Sequence, residues 1–311
     1  MKKLLALMLA LGMTVSLAAC GGSTDSADTT ASESETTEES TDAAETEETA
    51  DAAEASGDGS YVIGICQLVQ HEALDAATQG FKDAVTEALG AENVTFDEQN
   101  ASNDSATCAT IINQFVSNNV DLILANATAP LQAAAQGTDT IPVLGTSVTE
   151  YGVALDIDNF DGLVGTNVSG TSDLAPLDQQ AAMLQELFPD AETVGLLYCS
   201  AEANSQYQVD TVQGYLEEMG YTCTQYSFSD SNDLAAVATA AAQESDVIYV
   251  PTDNTVASNT EIIRNICEPA QVPIIAGEEG ICSGCGVATL SISYYDLGVA
   301  TGNMAVQVLT G

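Results

Sequence analysis

Cysteine residues are the first candidates for chemistry in this 311-residue sequence. Cys282 and Cys285 have the two-residue spacing of a redox pair or of half a zinc site. The sequence has no second Cys-x-x-Cys pair and only one histidine, so we predict no metal and no cofactor. No thioredoxin-like sequence surrounds the pair, which favours a structural disulfide or two free thiols. Seven cysteines follow Cys20, and this odd number leaves at least one without an intramolecular partner.

The sequence offers few side chains for acid–base catalysis by an imidazole. The lone imidazole is His71, and no glycine-rich phosphate loop or His-Glu-x-x-His motif occurs. We therefore predict a protein that is not an enzyme, with carboxylate-only hydrolysis as the weaker alternative. The sequence has 46 acidic and 4 basic residues, a formal net charge of −42. Such a surface repels phosphate backbones, so we expect no nucleic acid partner.

The first residues have the build of a secretory signal peptide. Lys2 and Lys3 precede an apolar stretch that runs to Ala19, and we predict the signal over residues 1–19. The segment Leu17–Cys20 resembles the lipobox of bacterial lipoproteins, in which the cysteine becomes the mature N-terminus and carries lipid, including palmitate. Two acyl chains hold a protein durably, so we expect membrane contact through this lipid anchor only. A cleaved signal with an incidental cysteine is the alternative.

The next segment is a predicted tether. Residues 21–59 hold thirteen of the acidic residues and no Leu, Ile, Val, Phe, Tyr, Lys or Arg. Such a composition buries too little apolar surface to offset the entropy of ordering. We predict a lipidated N-terminus and a disordered acidic tether over residues 20–59, with a partner-binding acidic tail as the alternative.

From Tyr61 onward, buried-strand patterns alternate with helical periodicity. Tyr61–Leu68 and Asp121–Ala125 are apolar runs, and the segments between them repeat apolar residues at helical spacing. This order predicts an α/β fold with parallel sheets covered on both faces. The pattern restarts near Pro176, and about 250 residues exceed one typical core. We predict two lobes, with one large doubly wound domain as the alternative.

Ligands of open parallel sheets bind beyond the carboxyl ends of the strands. Polar residues follow the predicted strands in both halves of the sequence: Gln67, His71, Asn126, Thr128, Thr146 and Ser147 in the first, and Glu202, Asn204, Ser205, Thr252, Asp253, Asn254 and Glu278 in the second. Each could serve only as a helix N-cap. Because the whole set faces one cleft, binding is favoured.

Several separated motifs resemble, in order, those of a family of ABC-transporter substrate-binding lipoproteins that includes tryptophan- and tyrosine-binding members. They are Ile65–Gln67, His71–Asp75 with Gly80 and Phe81, Ser172–Leu174 with Pro176, Glu202–Ser205, Pro251–Asn254 with Val256–Ser258, and Tyr294–Gly298. The resemblance covers residues 61–311 and implies a type I periplasmic-binding-protein fold with three crossovers. It places lobe 1 at residues 60–168 plus about 286–311, and lobe 2 at about 169–285.

The resemblance further implies an amino acid held between the lobes, with Trp, Tyr or Phe as candidates. We predict ligand contacts from Gln67, His71, Leu74, Thr128, Asp173, Glu202, Asn204, Ser205, Asp253, Asn254 and Tyr295. The only arginine, Arg264, lies mid-helix, so helix N-termini and hydroxyls such as Thr128 and Ser205 are expected to bind the ligand carboxylate. Asp253 or Glu202 suits the ammonium group.

The predicted function is that of a monomeric, lipid-anchored solute-binding protein on the extracytoplasmic face of a bacterial membrane, with a cognate ABC permease as partner. A surface sensor or interaction lipoprotein is the alternative. The sequence departs from the family at Cys282–Cys285, where relatives usually have a basic residue before a Gly-Ala turn. Relatives also continue past the helix that ends at Leu309, so we expect this sequence to lack a C-terminal segment.

Overall fold

The computed structural model describes residues 60–311. The predicted signal peptide, Cys20 and the acidic tether lie outside the described residues. The first sheet is built from alternating strands and helices: β1 (Tyr61–Gln67), α1 (Glu72–Leu89), β2 (Val94–Asn100), α2 (Ser105–Ser117), β3 (Leu122–Asn126), α3 (Thr128–Gly137), β4 (Val143–Val148), α4 (Tyr151–Ala154) and β5 (Val168–Ser172).

The second sheet repeats the plan, and a final helix follows it. Its elements are α5 (Leu177–Leu187), β6 (Thr193–Cys199), α6 (Ala203–Glu218), β7 (Thr222–Phe228), α7 (Ser231–Glu244), β8 (Val247–Val250), α8 (Asn254–Ala257), α9 (Thr260–Ala270), β9 (Ile274–Ala276), α10 (Glu279–Cys285), β10 (Ala288–Thr289) and α11 (Tyr294–Thr310).

Both sheets are parallel. The strand orders are β2-β1-β3-β4-β5 and β10-β9-β8-β6-β7. The register of the first sheet places Gln67 beside Asn100 and Asn126, so three polar side chains meet at one carboxyl edge. We call each sheet with its covering helices a lobe. The α/β prediction with a parallel sheet in each lobe is confirmed.

Side-chain alternation along β1 explains why helices cover both faces of the first sheet. Ile63 and Ile65 pack with Phe81 of α1 on one face. Cys66 packs with Cys108 and Phe115 of α2 on the other. Every residue of β3 and β4 is buried, as expected for strands covered on both sides.

Helix α11 returns the chain to the first lobe, where it packs along α1. Two glycines make this close approach possible. A Cβ at Gly298 would lie 2.0 Å from the Ala77 carbonyl oxygen, and a Cβ at Gly80 would lie 2.1 Å from the Tyr295 carbonyl oxygen. The helix backbones are therefore in direct contact, which fixes the last helix on the lobe that contains the first strand.

The structure corrects several predicted boundaries. Strand β5 was not predicted and extends the first sheet to Ser172, and β10 belongs to the second sheet up to Thr289. Within residues 60–311 the chain crosses between the sheets twice, whereas the resemblance implies three crossovers. Both crossings come about four residues later than the predicted divisions at 168 and 285. Ser169–Ser172 escape detection because a strand of Ser, Gly and Thr has no apolar alternation. Among residues 60–311, no helix combines the length and hydropathy needed to cross a bilayer.

Candidate functional site

The candidate site is a cleft between the two lobes, at the carboxyl ends of the strands. One pocket of the cleft is narrow in this closed form, with a cavity volume of about 10 Å³. The first lobe contributes His71, Leu74, Ser147, Asp173 and Tyr294 to it, and the second lobe contributes Asn204, Asp253, Asn254 and Glu278. An adjoining pocket of about 130 Å³ shares Asn204 and is lined by Leu68, Thr128 and Glu202 among others.

Asp173 carries the clearest sign of an absent partner. It follows β5, and its side chain is buried. Tyr294 donates a hydrogen bond from its hydroxyl to Asp173 Oδ2 at 2.8 Å, whereas Oδ1 is buried without any partner. Burial raises the pKa of this carboxyl, and the nearby Tyr294 and Thr149 hydroxyl groups oppose the rise. A buried carboxylate oxygen of this kind is a favourable site for a cationic donor.

His71 closes the same pocket from the start of α1. Its Nε2 lies 3.2 Å from Asn254 Oδ1 of the second lobe, and its Nδ1 is buried without a partner. Burial lowers the pKa of the imidazole, and the Asn254 contact opposes this shift. The ring is therefore neutral at pH 7, and the cleft gains no positive charge from it.

The N-terminus of α1 offers backbone donors to an anion. No side chain caps this helix, although eighteen residues contribute to its dipole. Ala73 and Leu74, in its first turn, line the pocket. The Ser147 hydroxyl is also buried without a partner. Free N–H groups at a helix N-terminus together with a hydroxyl form a suitable site for a carboxylate.

Backbone strain accompanies these donors at the edge of the first sheet. Ser147 has φ = 55°, and Ala127, directly after β3, has φ = 103°. Residues with a Cβ avoid this region, which costs about 1–3 kcal/mol. Ala127 is fully buried and precedes α3, which has no side-chain cap. The strain turns the chain sharply, so that α3 begins at the cleft.

The carboxylates of Asp253 and Glu202 bind backbone N–H groups of the second lobe. Both Asp253 oxygens accept backbone N–H groups, from Cys199 at 2.6 Å and Val256 at 2.9 Å. Burial, and secondarily the Glu202 charge, raise the pKa of Asp253 to about 8. Glu202 accepts the backbone N–H groups of Asn254 at 3.0 Å and of Thr255 at 2.9 Å. The two acids therefore hold α8, and with it Asn254, in position.

Other predicted site residues divide between the cleft and its support. Gln67 lies behind the pocket, where it donates to Asp75 at 2.7 Å and accepts from Thr78 at 2.7 Å. Thr128 and Asn204 line the cleft, and Ser205 is fully buried beside Asp253. Leu74 lines the pocket that contains Asp173.

Tyr295 was predicted to contact the ligand, but the structure places it outside the cleft. Its side chain is 42% exposed, and its hydroxyl donates to Asp83 at 3.0 Å, outside the cleft. The adjacent Tyr294 lines the pocket instead. Tyr294, Gly298 and Gly302 are spaced by four residues and therefore lie on one face of α11. This face packs on α1, so the spacing could have indicated that Tyr294, rather than Tyr295, points inward.

Two further residues of the pocket were among the polar residues that follow predicted strands, but not among the predicted ligand contacts. Ser147 and Glu278 follow β4 and β9, respectively, and both line the pocket. Glu278 accepts the backbone N–H groups of Gly280 and Ile281 and caps α10. Burial raises its pKa to about 7. Position after a strand was the available signal for both residues.

Hydrogen bonds cross the cleft, so the lobes are closed on each other. Besides the contact of His71 with Asn254, Asn103 Nδ2 donates to Thr255 Oγ1 at 3.0 Å. Ser283 of α10 donates to the Glu72 carboxylate at 3.4 Å. Within residues 60–311, a larger groove in the first lobe is lined by Ala135, Ile157 and Val164. We place the site in the cleft because none of the groove's lining side chains is a buried polar group without a partner.

The ligand-free protein is expected to lose stability as the pH rises from 6.5 to 8.5. Asp253 and Glu278 have folded-state pKa values of about 8 and about 7, above those of unfolded chains, so the folded state binds more protons over this interval. His71, whose pKa is lowered, acts in the opposite sense only below about pH 6.5. Thermal unfolding midpoints measured across this interval test the prediction. A midpoint that rises with pH would contradict it.

The two sheets, the closed cleft and the return of α11 define a periplasmic-binding-protein fold of type I. The profile of the family described as "ABC transporter substrate binding protein" matches residues 62–311. The chain belongs to this family. Its members are solute-binding proteins that act on the extracytoplasmic side, which confirms the prediction of a binding protein rather than an enzyme.

Three relatives illustrate the relationship. The "Tyrosine-binding protein" of Clostridioides difficile strain R20291 is 37% identical over 254 residues, which cover 80% of this chain and 72% of that protein. An ABC domain from Streptococcus pneumoniae in complex with L-Trp has a TM-score of 0.78 at 34% identity, covering 81% and 85% of the two chains. A ligand-free, open substrate-binding protein with adhesive properties from Clostridium difficile has a TM-score of 0.60 at 39% identity, with the same coverage.

The two structural comparisons agree with the closed cleft. The chain is more similar in shape to the L-Trp complex than to the open, ligand-free protein, although its identity with the open protein is slightly higher. Sequence divergence therefore does not account for the difference. The hydrogen bonds between the lobes provide its physical basis.

Proposed function

We propose that this chain binds an amino acid with an aromatic or apolar side chain between its lobes and delivers it to a membrane permease. The observation that carries the proposal is the partnerless, buried oxygen of Asp173 in a pocket formed by both lobes. The names of two relatives, a tyrosine-binding protein and an L-Trp complex, support the ligand class.

The ligand ammonium is proposed to bind Asp173. No residue that lines this pocket carries a positive charge, because His71 is neutral there, so the site favours a cation. The carboxylate is proposed to bind at the N-terminus of α1 and the Ser147 hydroxyl. Arg264 lines a groove of the second lobe away from the cleft and takes no part.

The ligand side chain is proposed to extend along apolar surface next to this polar region. Leu74 and Tyr294 line the pocket that contains Asp173, and Leu68 lines the adjoining pocket. Four further residues are proposed to contact the ligand or to hold the segments that contact it: Thr128, Glu202, Asn204 and Asn254. An aromatic ring can gain both burial and a π contact from Tyr294.

A thermal-shift screen of the twenty amino acids and common sugars tests the ligand class. A ligand at 100 times its dissociation constant stabilises the folded state by about 2.7 kcal/mol. We expect the largest shifts from Trp, Tyr or Phe, and none from the sugars. Stabilisation by sugars, with none from any amino acid, would refute the proposed ligand class.

Lipid anchoring through Cys20 is the second part of the proposal. The signal peptide at 1–19 and the tether at 20–59 would place a monomeric binding domain on the extracytoplasmic face, within reach of its permease. The Leu17–Cys20 sequence supports this arrangement.

Replacing Cys20 by alanine is expected to abolish lipid attachment and to release the protein from the membrane. The thiol of this residue is the proposed acceptor of the lipid, and one polar tether holds no membrane by itself. Metabolic labelling with an alkyne analogue of palmitate, followed by membrane fractionation, measures both effects. Cys223→Ala is the control, and equal labelling of the Cys20→Ala variant would count against the anchor.

A surface interaction role is the second candidate function. One relative is described as a substrate-binding protein with adhesive properties. Deleting the neighbouring permease genes separates the two roles. Loss of amino acid uptake supports transport, whereas unchanged uptake together with reduced attachment of cells lacking this protein supports the interaction role.

A further inference from the structure

Two thiols in the interior of the first lobe lie against each other outside the ligand cleft. Cys66 is in β1 and Cys108 is in α2, and neither side chain has any exposed surface. Both belong to the same buried cluster. The structure records both as free thiols.

The packing of β1 against α2 aligns these two side chains. Gly64 and Cys66 point to the same face of the sheet, because side chains alternate along a strand. A Cβ at Gly64 would lie 2.6 Å from the Phe115 ring, so Phe115 sits directly over Gly64. Cys108 precedes Phe115 by seven residues, two turns of the same helix face.

The direction of the elements completes the alignment. In a parallel β-α-β unit the helix runs in the opposite direction to the strands. Moving from Gly64 toward the end of β1 is therefore the same direction in space as moving from Phe115 toward the start of α2. That step leads from Gly64 to Cys66 and from Phe115 to Cys108. The nearness of the two thiols raises the pKa of Cys66 and lowers that of Cys108.

We propose that Cys66 and Cys108 form a disulfide in the exported protein. The extracytoplasmic side is oxidising, and disulfides persist there. A disulfide-bearing thiol oxidoreductase, or a small disulfide such as oxidised glutathione, accepts the two electrons. The exchange takes place during folding, before the two side chains are buried: the thiolate of one cysteine attacks the oxidant to give a mixed disulfide, and the second thiolate displaces the leaving thiol. One S–S bond forms and one breaks, and the two thiol protons end on the reduced oxidant.

The bond would secure the first-lobe side of the cleft. Helix α2 begins directly after Asn103 and Asp104, and Asn103 donates a hydrogen bond to Thr255 across the cleft. The adjacent residue of β1, Gln67, holds α1 through Thr78. A link between Cys66 and Cys108 ties these two segments together, and it stands independently of the proposed ligand.

The other cysteines of residues 60–311 all lie in the second lobe, where Cys199, Cys267, Cys282 and Cys285 belong to one apolar cluster. Cys199 and Cys223 lie on β6 and β7 of the second lobe, whereas Cys267, Cys282 and Cys285 lie on α9 and α10. The scarcity of basic residues separates the groups in a protease digest. Cleavage after Lys82 and Arg264 places Cys66 in the fragment that ends at Lys82, Cys108 in fragment 83–264, and the last three cysteines in fragment 265–311.

Trypsin digestion of the full chain, recovered from the cell exterior after alkylation of free thiols, tests the proposal. We expect the fragment that ends at Lys82 to remain joined to fragment 83–264 until reductant is added, with Cys66 and Cys108 identified as the linked residues by mass spectrometry. Refolding of the reduced, denatured protein in the presence of oxidised glutathione provides the same readout in vitro. Separate fragments under both conditions, or a link through Cys20, Cys199 or Cys223, would overturn the proposal.

Stability provides a second readout. The link closes a loop of about 40 residues, so the oxidised protein is expected to unfold about 5–15 °C above the reduced one. Cys108→Ser should remove this difference, whereas Cys223→Ser should leave it unchanged. Equal midpoints of oxidised and reduced wild-type protein would contradict a stabilising link.

Discussion

Replacing Asp173 by asparagine is expected to weaken amino acid binding by at least about 100-fold, because a bound ammonium would lose its buried charged partner. Asparagine keeps the size of the side chain and can still accept the Tyr294 hydrogen bond, but it carries no charge. The cost of burying an unpaired charge is about 3–5 kcal/mol. Calorimetric titration with the ligand found in the thermal-shift screen measures the loss.

The stability of the unliganded variant distinguishes a binding role from a structural one. Burial raises the pKa of Asp173, so its ionised form is unfavourable in the folded protein. Asp173→Asn should therefore unfold at the same temperature as the unliganded wild type or above it. The control Asp190→Asn changes an exposed carboxylate of the second lobe and should leave affinity unchanged. Wild-type affinity in Asp173→Asn would show that the ammonium lies elsewhere.

The contact between α1 and α11 provides the second large effect. Replacing Gly298 by alanine is expected to destabilise the protein by about 3 kcal/mol, a shift of roughly 6–12 °C in the unfolding midpoint. The added Cβ would lie 2.0 Å from the Ala77 carbonyl oxygen, and a backbone atom cannot move aside without separating the helices. Since α11 returns the chain to the first lobe and carries Tyr294, the damage would extend to the cleft.

The same substitution at Gly214 is a matched control with the opposite expected sign. Gly214 lies inside α6, and a Cβ there meets no atom within 4 Å. Alanine is the better helix former by about 1 kcal/mol, so Gly214→Ala should raise the unfolding midpoint. Chemical denaturation of both variants provides the comparison. Equal stability of Gly298→Ala and the wild type would mean that the two helices are not in backbone contact.

The predicted ligand set shows where sequence reasoning reached the site and where it stopped. Position after a strand led to His71, Asn204 and Asn254, and the family resemblance led to Asp173. The structure brings all four to one pocket. The same reasoning could not separate a ligand group from a cap. Asp253 has both oxygens occupied by backbone donors, whereas Asp173 has one oxygen free, and the two residues look alike in sequence.

The tyrosine pair makes the same point at the level of a single helix. Tyr294 and Tyr295 are adjacent, and a helical step of about 100° turns one into the cleft and the other toward solvent. The direction depends on the face of α11 that packs on α1. Gly298 marks that face, but its meaning becomes clear only when the Ala77 backbone is seen opposite it.

The sequence by itself determined the α/β architecture, the restart of the pattern in a second lobe and the family. These features depend on periodicity, composition and local motifs, which are properties of nearby residues. Tertiary structure alone decided which polar groups lack partners, which cysteines meet and how α11 packs, because these depend on contacts between residues far apart in the chain. Asp173 and Tyr294 are 121 positions apart, and their hydrogen bond forms only when β5 and α11 come together in the first lobe.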